Sequence, residues 1–99
     1  MSFVATLPAA LAASSGDLAS IGSVMVAQSA AAAGPTTGVV PAAADVVSAL
    51  IATQFAAHAQ MYQAAAAMAA EVHSSLVSTL AGDAGSYAAT EAVNLATLG

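Results

Sequence analysis

The histidines and carboxylates are the side chains of this sequence best suited to metal binding or acid–base chemistry. His58 and His73 are fifteen residues apart on one predicted helix, so at 1.5 Å per residue they lie about 22 Å apart, too far to share a metal ion. The acidic residues are scattered, without a closely spaced pair suited to acid and base roles. They are Asp17, Asp45, Glu71, Asp83 and Glu91. We therefore predict no metal site and no cofactor.

The serines and glycines give no better support for catalysis. The sequence has no Gly-x-Ser-x-Gly elbow, P-loop or dinucleotide fingerprint, and the glycines of Gly34-Pro35-Thr36-Thr37-Gly38 come without a lysine. The chain contains neither lysine nor arginine. It therefore lacks cations to bind the phosphates of nucleic acid, nucleotide or anionic lipid, and lacks an amine for Schiff-base chemistry. We predict a protein that is not an enzyme and does not bind nucleic acid.

The composition instead favours helix packing. Roughly a third of the residues are alanine, the strongest helix former. The chain of 99 residues allows one domain, and 60% of its residues are hydrophobic with a net charge of -5. A mean hydropathy of +0.86 leaves too few polar groups to cover the surface. We expect part of the chain to be buried against a partner or a membrane.

Proline and glycine divide the chain into two helices. Residues 33–41 contain Gly34, Pro35, Gly38 and Pro41 and predict a connector. The predicted architecture is all-α: an antiparallel hairpin over residues 1–82, with a helix at about 7–32, a connector at 33–44 and a helix at about 45–81. Residues 83–99 form a C-terminal tail.

Local signals agree with these helix ends. Thr6 is the predicted N-cap, and Pro8 stands in the first turn, where its missing N–H is harmless. Asp45 suits the first turn of the second helix, and Ala81-Gly82 suits its C-terminal stop.

Large side chains recur at alternating steps of three and four in both helices, which predicts a bundle seam of small crossing angle. Pairing the two series would close the hairpin. The first series is Leu7, Leu11, Ser14, Leu18, Ile21, Met25 and Gln28. The second is Ile51, Phe55, His58, Tyr62, Ala65, Ala69, Val72, Leu76 and Thr79.

Further apolar residues of the second helix lie beside this series: Val47, Leu50, Met61 and Met68. A methionine stripe is usually ordinary core, but a hairpin has no interior to hold it. These residues must therefore meet a third or fourth helix, and they predict a core shared with another chain.

Two features of the sequence allow more than one interpretation. Gly22 within the first helix indicates either close approach by another helix or tolerated drift. The uncharged stretch between Asp45 and Glu71 is long enough for a membrane span. Its glutamines, His58 and the absence of flanking cations make the span the minority interpretation.

One local pair stands out near the C-terminus. Tyr87 and Glu91 are four residues apart in Ser86-Tyr87-Ala88-Ala89-Thr90-Glu91, so on a helix they share a face. Taken alone, an aromatic–acid pair is as consistent with a surface contact as with a recognition motif.

The sequence resembles the mycobacterial PE family. The resemblance rests on the opening Met1-Ser2-Phe3-Val4, Pro8, the connector from Ala31 to Asp45, the run from Phe55 to Gln63, and Ser86 to Glu91. The Pro-Glu pair that names the family reads Pro8-Ala9 here. Ala9 loses the capping-box bond that a glutamate would make to Thr6, a cost of about 1 kcal/mol or less.

The resemblance implies a non-enzymatic subunit that forms a 1:1 heterodimer with a PPE-family protein, the antiparallel hairpin completing a four-helix bundle with that partner chain. It further implies export by type VII secretion machinery, with a chaperone bound through the PPE partner. Tyr87 and Glu91 match the family's secretion motif, Tyr-x-x-x-Asp/Glu. The expected location is cytosolic before export, then secreted or at the cell surface and outer envelope. An alternative is a component of an outer-envelope channel or surface assembly formed by the secreted pair.

The predicted partner interface consists of the large apolar residues of both helices. These are Leu11, Leu18, Ile21, Met25, Val47, Leu50, Ile51, Phe55, Met61, Tyr62, Met68, Val72 and Leu76.

Overall fold

The computed structural model describes residues 4–98, which contain two helices and no strand. Helix α1 spans Pro8–Thr37 and helix α2 spans Val46–Leu98, with residues 38–45 between them. The chain forms two compact units, Met1–Gly22 with Val72–Gly99, and Ser23–Glu71. Each unit contains a piece of α1 packed on a piece of α2. The all-α helix hairpin predicted from the sequence is confirmed.

Helix α1 continues through Gly34 and Pro35 rather than ending near residue 32, so the predicted connector at 33–44 is wrong in its first residues. Proline lacks one backbone donor and weakens the turn. The Thr36 hydroxyl donates to the Ala32 carbonyl at 2.6 Å, and the Thr37 hydroxyl donates to the Ala33 carbonyl at 2.6 Å. These bonds supply side-chain donors in the turn that proline weakens.

Helix α2 does not stop at Ala81-Gly82, and the predicted end at about residue 81 is wrong. The helix continues through Gly82 and Gly85 to Leu98. Each glycine costs about 1 kcal/mol in a helix interior, but Ala84 between them is buried, at 4% exposure. Packing against α1 therefore stabilises the turn that propensity alone would end.

The two helix starts differ from each other. Pro8 is the first residue of α1, but the predicted N-cap Thr6 is wrong. The Leu7 carbonyl accepts the first helical N–H groups, and the Thr6 hydroxyl donates to the Glu91 carboxylate. Asp45 caps α2: its Oδ1 accepts the Ser48 N–H at 2.8 Å and its Oδ2 accepts the Ser48 hydroxyl at 2.9 Å. These hydrogen bonds, the backbone one first, lower the pKa of Asp45 below its usual value.

The hairpin is closed by small and polar side chains, and the predicted pairing of the two series of large residues is wrong. The buried residues of the described chain are Ser15, Ala52, Ala59 and Ala84. No larger side chain among residues 4–98 is fully buried. Alanine lets helix backbones approach closely, whereas Phe55 or Tyr62 in that position would hold them apart. Phe55 and Tyr62 are therefore left outside the contact, whereas Leu11 and Leu18 of the first series are half-buried.

Hydrogen bonds from side chains to backbone carbonyls tie the helices together within each unit. In the first unit, Ser15 donates to the Val77 carbonyl at 3.0 Å and His73 Nε2 contacts the Leu18 carbonyl at 2.5 Å. In the second, Gln63 Nε2 donates to the Ser29 carbonyl at 3.0 Å. The three bonds fix which turns of α1 and α2 face each other, a choice that alanine alone defines poorly.

Gly22 marks a close approach, as one of its two interpretations predicted. A Cβ built on Gly22 would lie 2.6 Å from His73 Cδ2, whereas a Cβ on Gly16 would meet nothing within 4 Å. The first glycine is required by packing and the second is not.

Candidate functional site

Large exposed apolar side chains form a continuous surface along α2 in the second unit. At 100° per residue, Ile51, Phe55 and Tyr62 fall beside the line of alanines that contacts α1, and Leu50 and Met61 fall on the face of α2 turned away from that line. Phe55 is 61% exposed and Tyr62 is 57% exposed. We call the surface of α2 formed by Ile51, Phe55, Tyr62, Leu50 and Met61 the apolar flank.

The opposite side of α2 in this unit has a different composition. Thr53, Ala57, Gln60, Ala64 and Glu71 fall there, all exposed. Between Thr53 and Glu71 this side carries no large apolar residue, although Val46 falls on it in the first turn of α2 and is exposed. Over residues 53–71 the exposed apolar surface is therefore concentrated away from this side, which is the distribution expected of a contact surface.

An open groove of about 230 Å³ lies between the two helices of the second unit. It is lined by Val24, Met25, Gln28, Ser29, Ala32 and Tyr62. Its walls are mostly apolar, and Gln28, Ser29 and Tyr62 are the lining residues with polar groups in their side chains. The groove therefore provides a shallow recess beside the apolar flank.

The first unit has its own exposed apolar residues on α2. Val72 is 71% exposed and Leu76 is 52% exposed. Tyr87, three turns after Leu76 on the same helix, lies at nearly the same angle, about 20° away. Its side chain is 46% exposed. Tyr87 and Leu76 therefore face the same direction on α2.

Glu91 is more covered than Tyr87 and bonds to the segment that precedes α1. Its Oε1 accepts the Thr6 backbone N–H at 2.9 Å and the Thr6 hydroxyl at 3.0 Å. Tyr87 and Glu91 lie on one helix, as their spacing predicted. The bond to Thr6, across the whole length of the chain, was not predicted.

The histidines show no arrangement for metal binding. His73 is packed against Gly22 and the Leu18 carbonyl, while His58 is exposed on α2. Among residues 4–98 there is no group of three or more histidine, cysteine or acidic residues placed to hold a metal ion.

Most residues of the predicted partner interface are exposed in this chain. Leu11 and Leu18 are half-buried. The exposed ones are Ile21, Met25, Val47, Leu50, Ile51, Phe55, Met61, Tyr62, Met68, Val72 and Leu76. Their role in binding a partner stays a prediction.

One helix of the described chain is long and apolar enough to cross a membrane, by length and composition. This helix is α1, Pro8–Thr37. Its most apolar stretch of 18 residues has a mean hydropathy of 1.3, and 6% of that stretch is buried. The stretch considered from the sequence, between Asp45 and Glu71, does not meet this criterion. Core helices of soluble proteins also satisfy it.

Comparison with known proteins identifies the family. The sequence profile of the PE family matches residues 4–94. PE family protein PE13 of Mycobacterium tuberculosis (strain ATCC 25618 / H37Rv) is 60% identical over 96 residues, which are 97% of this chain and 97% of that protein. PE-PGRS family protein PE_PGRS33 of M. tuberculosis (strain CDC 1551 / Oshkosh) is 56% identical over 98 residues, 99% of this chain but 21% of that protein. PE_PGRS8 of the H37Rv strain is 53% identical over 98 residues, 99% of this chain and 56% of its own length.

The chain thus spans nearly all of PE13 and about a fifth of PE_PGRS33. With a profile match over residues 4–94, the protein belongs to the PE family.

Proposed function

We propose that this PE protein is a non-enzymatic subunit that forms a 1:1 heterodimer with a PPE-family protein. The observation that carries the proposal is the composition of the helix contact in the second unit. That contact uses alanine, serine and other small or polar side chains, and the large apolar side chains of the unit are exposed outside it. A partner helix pair packed on the apolar flank would complete a four-helix bundle.

The energetics favour an obligate partner. Burial of a large apolar side chain contributes about 1.5–3 kcal/mol, and the buried residues of the described chain are only Ser15, Ala52, Ala59 and Ala84. The stability of the hairpin alone therefore rests on a thin core. Covering Ile51, Phe55 and Met61 would add several such contributions.

Co-expression tests this directly. We expect the chain alone to be aggregated or loosely helical, and the chain expressed with its cognate PPE protein to give a soluble 1:1 complex. Size-exclusion chromatography with light scattering measures the stoichiometry, and circular dichroism follows melting. A monomeric chain that melts cooperatively on its own would contradict the proposal.

The second part of the proposal is export of the pair by type VII secretion. Tyr87 and Glu91 fit the family's Tyr-x-x-x-Asp/Glu pattern, both lie on α2, and Tyr87 remains partly exposed. The chaperone is expected to act through the PPE partner. The protein would be cytosolic before export and then secreted or held at the cell surface.

A second candidate function is a place in an outer-envelope channel or surface assembly. The exposure and apolar character of α1, Pro8–Thr37, favour it. Carbonate and detergent extraction of cell envelopes distinguishes the two, since a soluble heterodimer at the surface washes off with carbonate and a membrane-embedded assembly needs detergent.

A further inference from the structure

The bond between Thr6 and Glu91 joins the segment before α1 to the proposed secretion motif. One carboxylate oxygen, Oε1, accepts both the backbone N–H and the hydroxyl of Thr6, at 2.9 and 3.0 Å. Two donors from one residue converging on one acceptor fix the carboxylate's position more tightly than a single bond would. Glu91 is half-buried and Thr6 is half-buried, so water competes for this contact less than at an exposed site.

These bonds orient the carboxylate without neutralising it. Thr6 is uncharged, and the chain contains no lysine or arginine, so no side-chain ammonium or guanidinium of the chain can pair with Glu91. The negative charge is therefore available to a cation supplied from outside the chain, while the geometry of the group is already set. A preorganised charged group loses less freedom when a receptor binds it.

The sequence accounts for why Thr6 has this role here. Residue 9, in the first turn of α1, is alanine and offers no side-chain acceptor to the Thr6 N–H. That N–H is bonded by Glu91 instead. The first turn of α1 contains no acidic residue, so the carboxylate near this helix start comes from α2.

We propose that Thr6 is a positioning residue of the secretion motif, holding the Glu91 carboxylate in place for a cationic group of the export machinery. The inference rests on the proposed export function. The recognised surface then includes the segment before α1 as well as the end of α2.

Three substitutions in the co-expressed pair test the proposal. Thr6→Val keeps the size and the backbone N–H but removes the hydroxyl, and Thr6→Ser keeps both donors. Glu91→Gln keeps an oxygen that accepts from Thr6 but removes the charge. The measurement is the ratio of secreted to cell-retained protein in a mycobacterial host, alongside co-purification of the partner and melting of the complex.

We expect Thr6→Val to lower the secretion ratio by about threefold to tenfold, the range for one lost hydrogen bond. Thr6→Ser should restore it, and Glu91→Gln should lower it further than Thr6→Val. Partner co-purification and melting should change little in all three, which separates positioning from a structural role.

Two results would overturn the positioning role. Unchanged secretion of Thr6→Val would mean that the carboxylate needs no orientation, and increased secretion would mean that Thr6 competes with the receptor. Failure of the export proposal itself looks different. In that case Glu91→Gln and Tyr87→Ala would both be secreted normally, and the proposed role of Thr6 in export would be wrong as well.

Discussion

The imidazole of His73 occupies the space where a side chain on Gly22 would begin. A Cβ at residue 22 would lie 2.6 Å from His73 Cδ2 and 2.8 Å from His73 Nε2. The ring is held there by the contact of Nε2 with the Leu18 carbonyl at 2.5 Å. Because a carbonyl only accepts, Nε2 carries the proton. The ring therefore cannot yield to a methyl group without losing its hydrogen bond.

We expect Gly22→Ala to destabilise the co-purified complex despite the better helix propensity of alanine. Propensity favours the variant by about 1 kcal/mol. Overpacking costs about 1–3 kcal/mol, and loss of the bond from His73 adds about 1 kcal/mol. Denaturant unfolding at fixed protein concentration measures the balance.

Gly16 and a double variant provide the controls. Gly16→Ala should stabilise by up to about 1 kcal/mol, because nothing lies near the added methyl. Gly22→Ala in a His73→Ala background should no longer destabilise, so the pair should show a coupling energy of at least about 1 kcal/mol. Additive effects of the two changes would contradict the contact.

The buried hydroxyl of Ser15 supplies a second test of the hairpin. Ser15 is 5% exposed and donates to the Val77 carbonyl. We expect Ser15→Ala to destabilise relative to Ser14→Ala by about 0.5–1.5 kcal/mol, the net contribution of one hydrogen bond. Ser14 is the neighbouring exposed residue, so the gain in helix propensity is the same in both variants and cancels. Equal stability of the two variants would rule out a contribution from the bond.

The helices could be predicted from the sequence because alanine content and proline placement act locally. The helix ends could not, because tertiary bonds override local signals there. Gly82 predicts the end of α2, but burial of Ala84 stabilises the helix beyond this glycine. Pro35 predicts a connector, but α1 continues to Thr37, where the hydroxyls of Thr36 and Thr37 donate to the Ala32 and Ala33 carbonyls.

The faces of the helices were predicted only in part. Periodicity located the large residues, such as Phe55 and Tyr62, on one side of α2, but the side that contacts α1 is marked by Ala52 and Ala59. Alanine is so frequent in this chain that its period does not stand out. The bond from Thr6 to Glu91 depends on the antiparallel register of the hairpin, which spacing along one helix does not encode.

The N-cap Asp45 predicts a pH dependence at the start of α2. Hydrogen bonds from Ser48 lower its pKa below 3.8 in the folded chain. A group with a lowered folded pKa stabilises the fold above its unfolded pKa, and this contribution is lost as the pH falls through the folded pKa. We expect the stability difference between the wild-type complex and Asp45→Asn to be constant at neutral pH and to shrink below pH 3.8.

Asp45→Asn is the appropriate comparison because asparagine also caps helices but does not titrate. Unfolding of both proteins is measured by denaturant at a series of pH values. A stability difference that stays constant down to about pH 2 would show that the Asp45 carboxylate is not linked to folding.

The apolar flank predicts a contrast between two residues of α2. Phe55 is exposed in the chain, so Phe55→Ala should leave the chain's own helix contact intact. In the heterodimer we expect it to cost about 3–5 kcal/mol, because a buried aromatic is lost. Gln60→Ala, on the opposite side of α2, should change complex stability by about 0.5 kcal/mol or less. Equal melting temperatures for the wild-type and Phe55→Ala complexes would show that the flank is not the partner interface.

Tyr87 tests whether export and pairing use separate residues. We expect Tyr87→Ala to abolish secretion while leaving partner co-purification unchanged, since its aromatic ring would serve as an anchor for the export machinery. Tyr87→Phe keeps the ring and should be secreted. The measurement is the secreted-to-retained ratio of the co-expressed pair, with a pull-down of the partner from the same cells.

The position of Tyr87 on α2 makes Leu76 the informative companion. The two residues lie at nearly the same helical angle, and both are about half exposed. A partner helix that covers Leu76 could therefore contact Tyr87 as well. Leu76→Ala should weaken pairing and therefore reduce secretion through loss of the complex. Tyr87→Ala should reduce secretion with the complex intact. If Tyr87→Ala instead loses the partner as Leu76→Ala does, Tyr87 contributes to pairing. Of the motif, only Glu91, positioned by Thr6, would then be available to bind the export machinery.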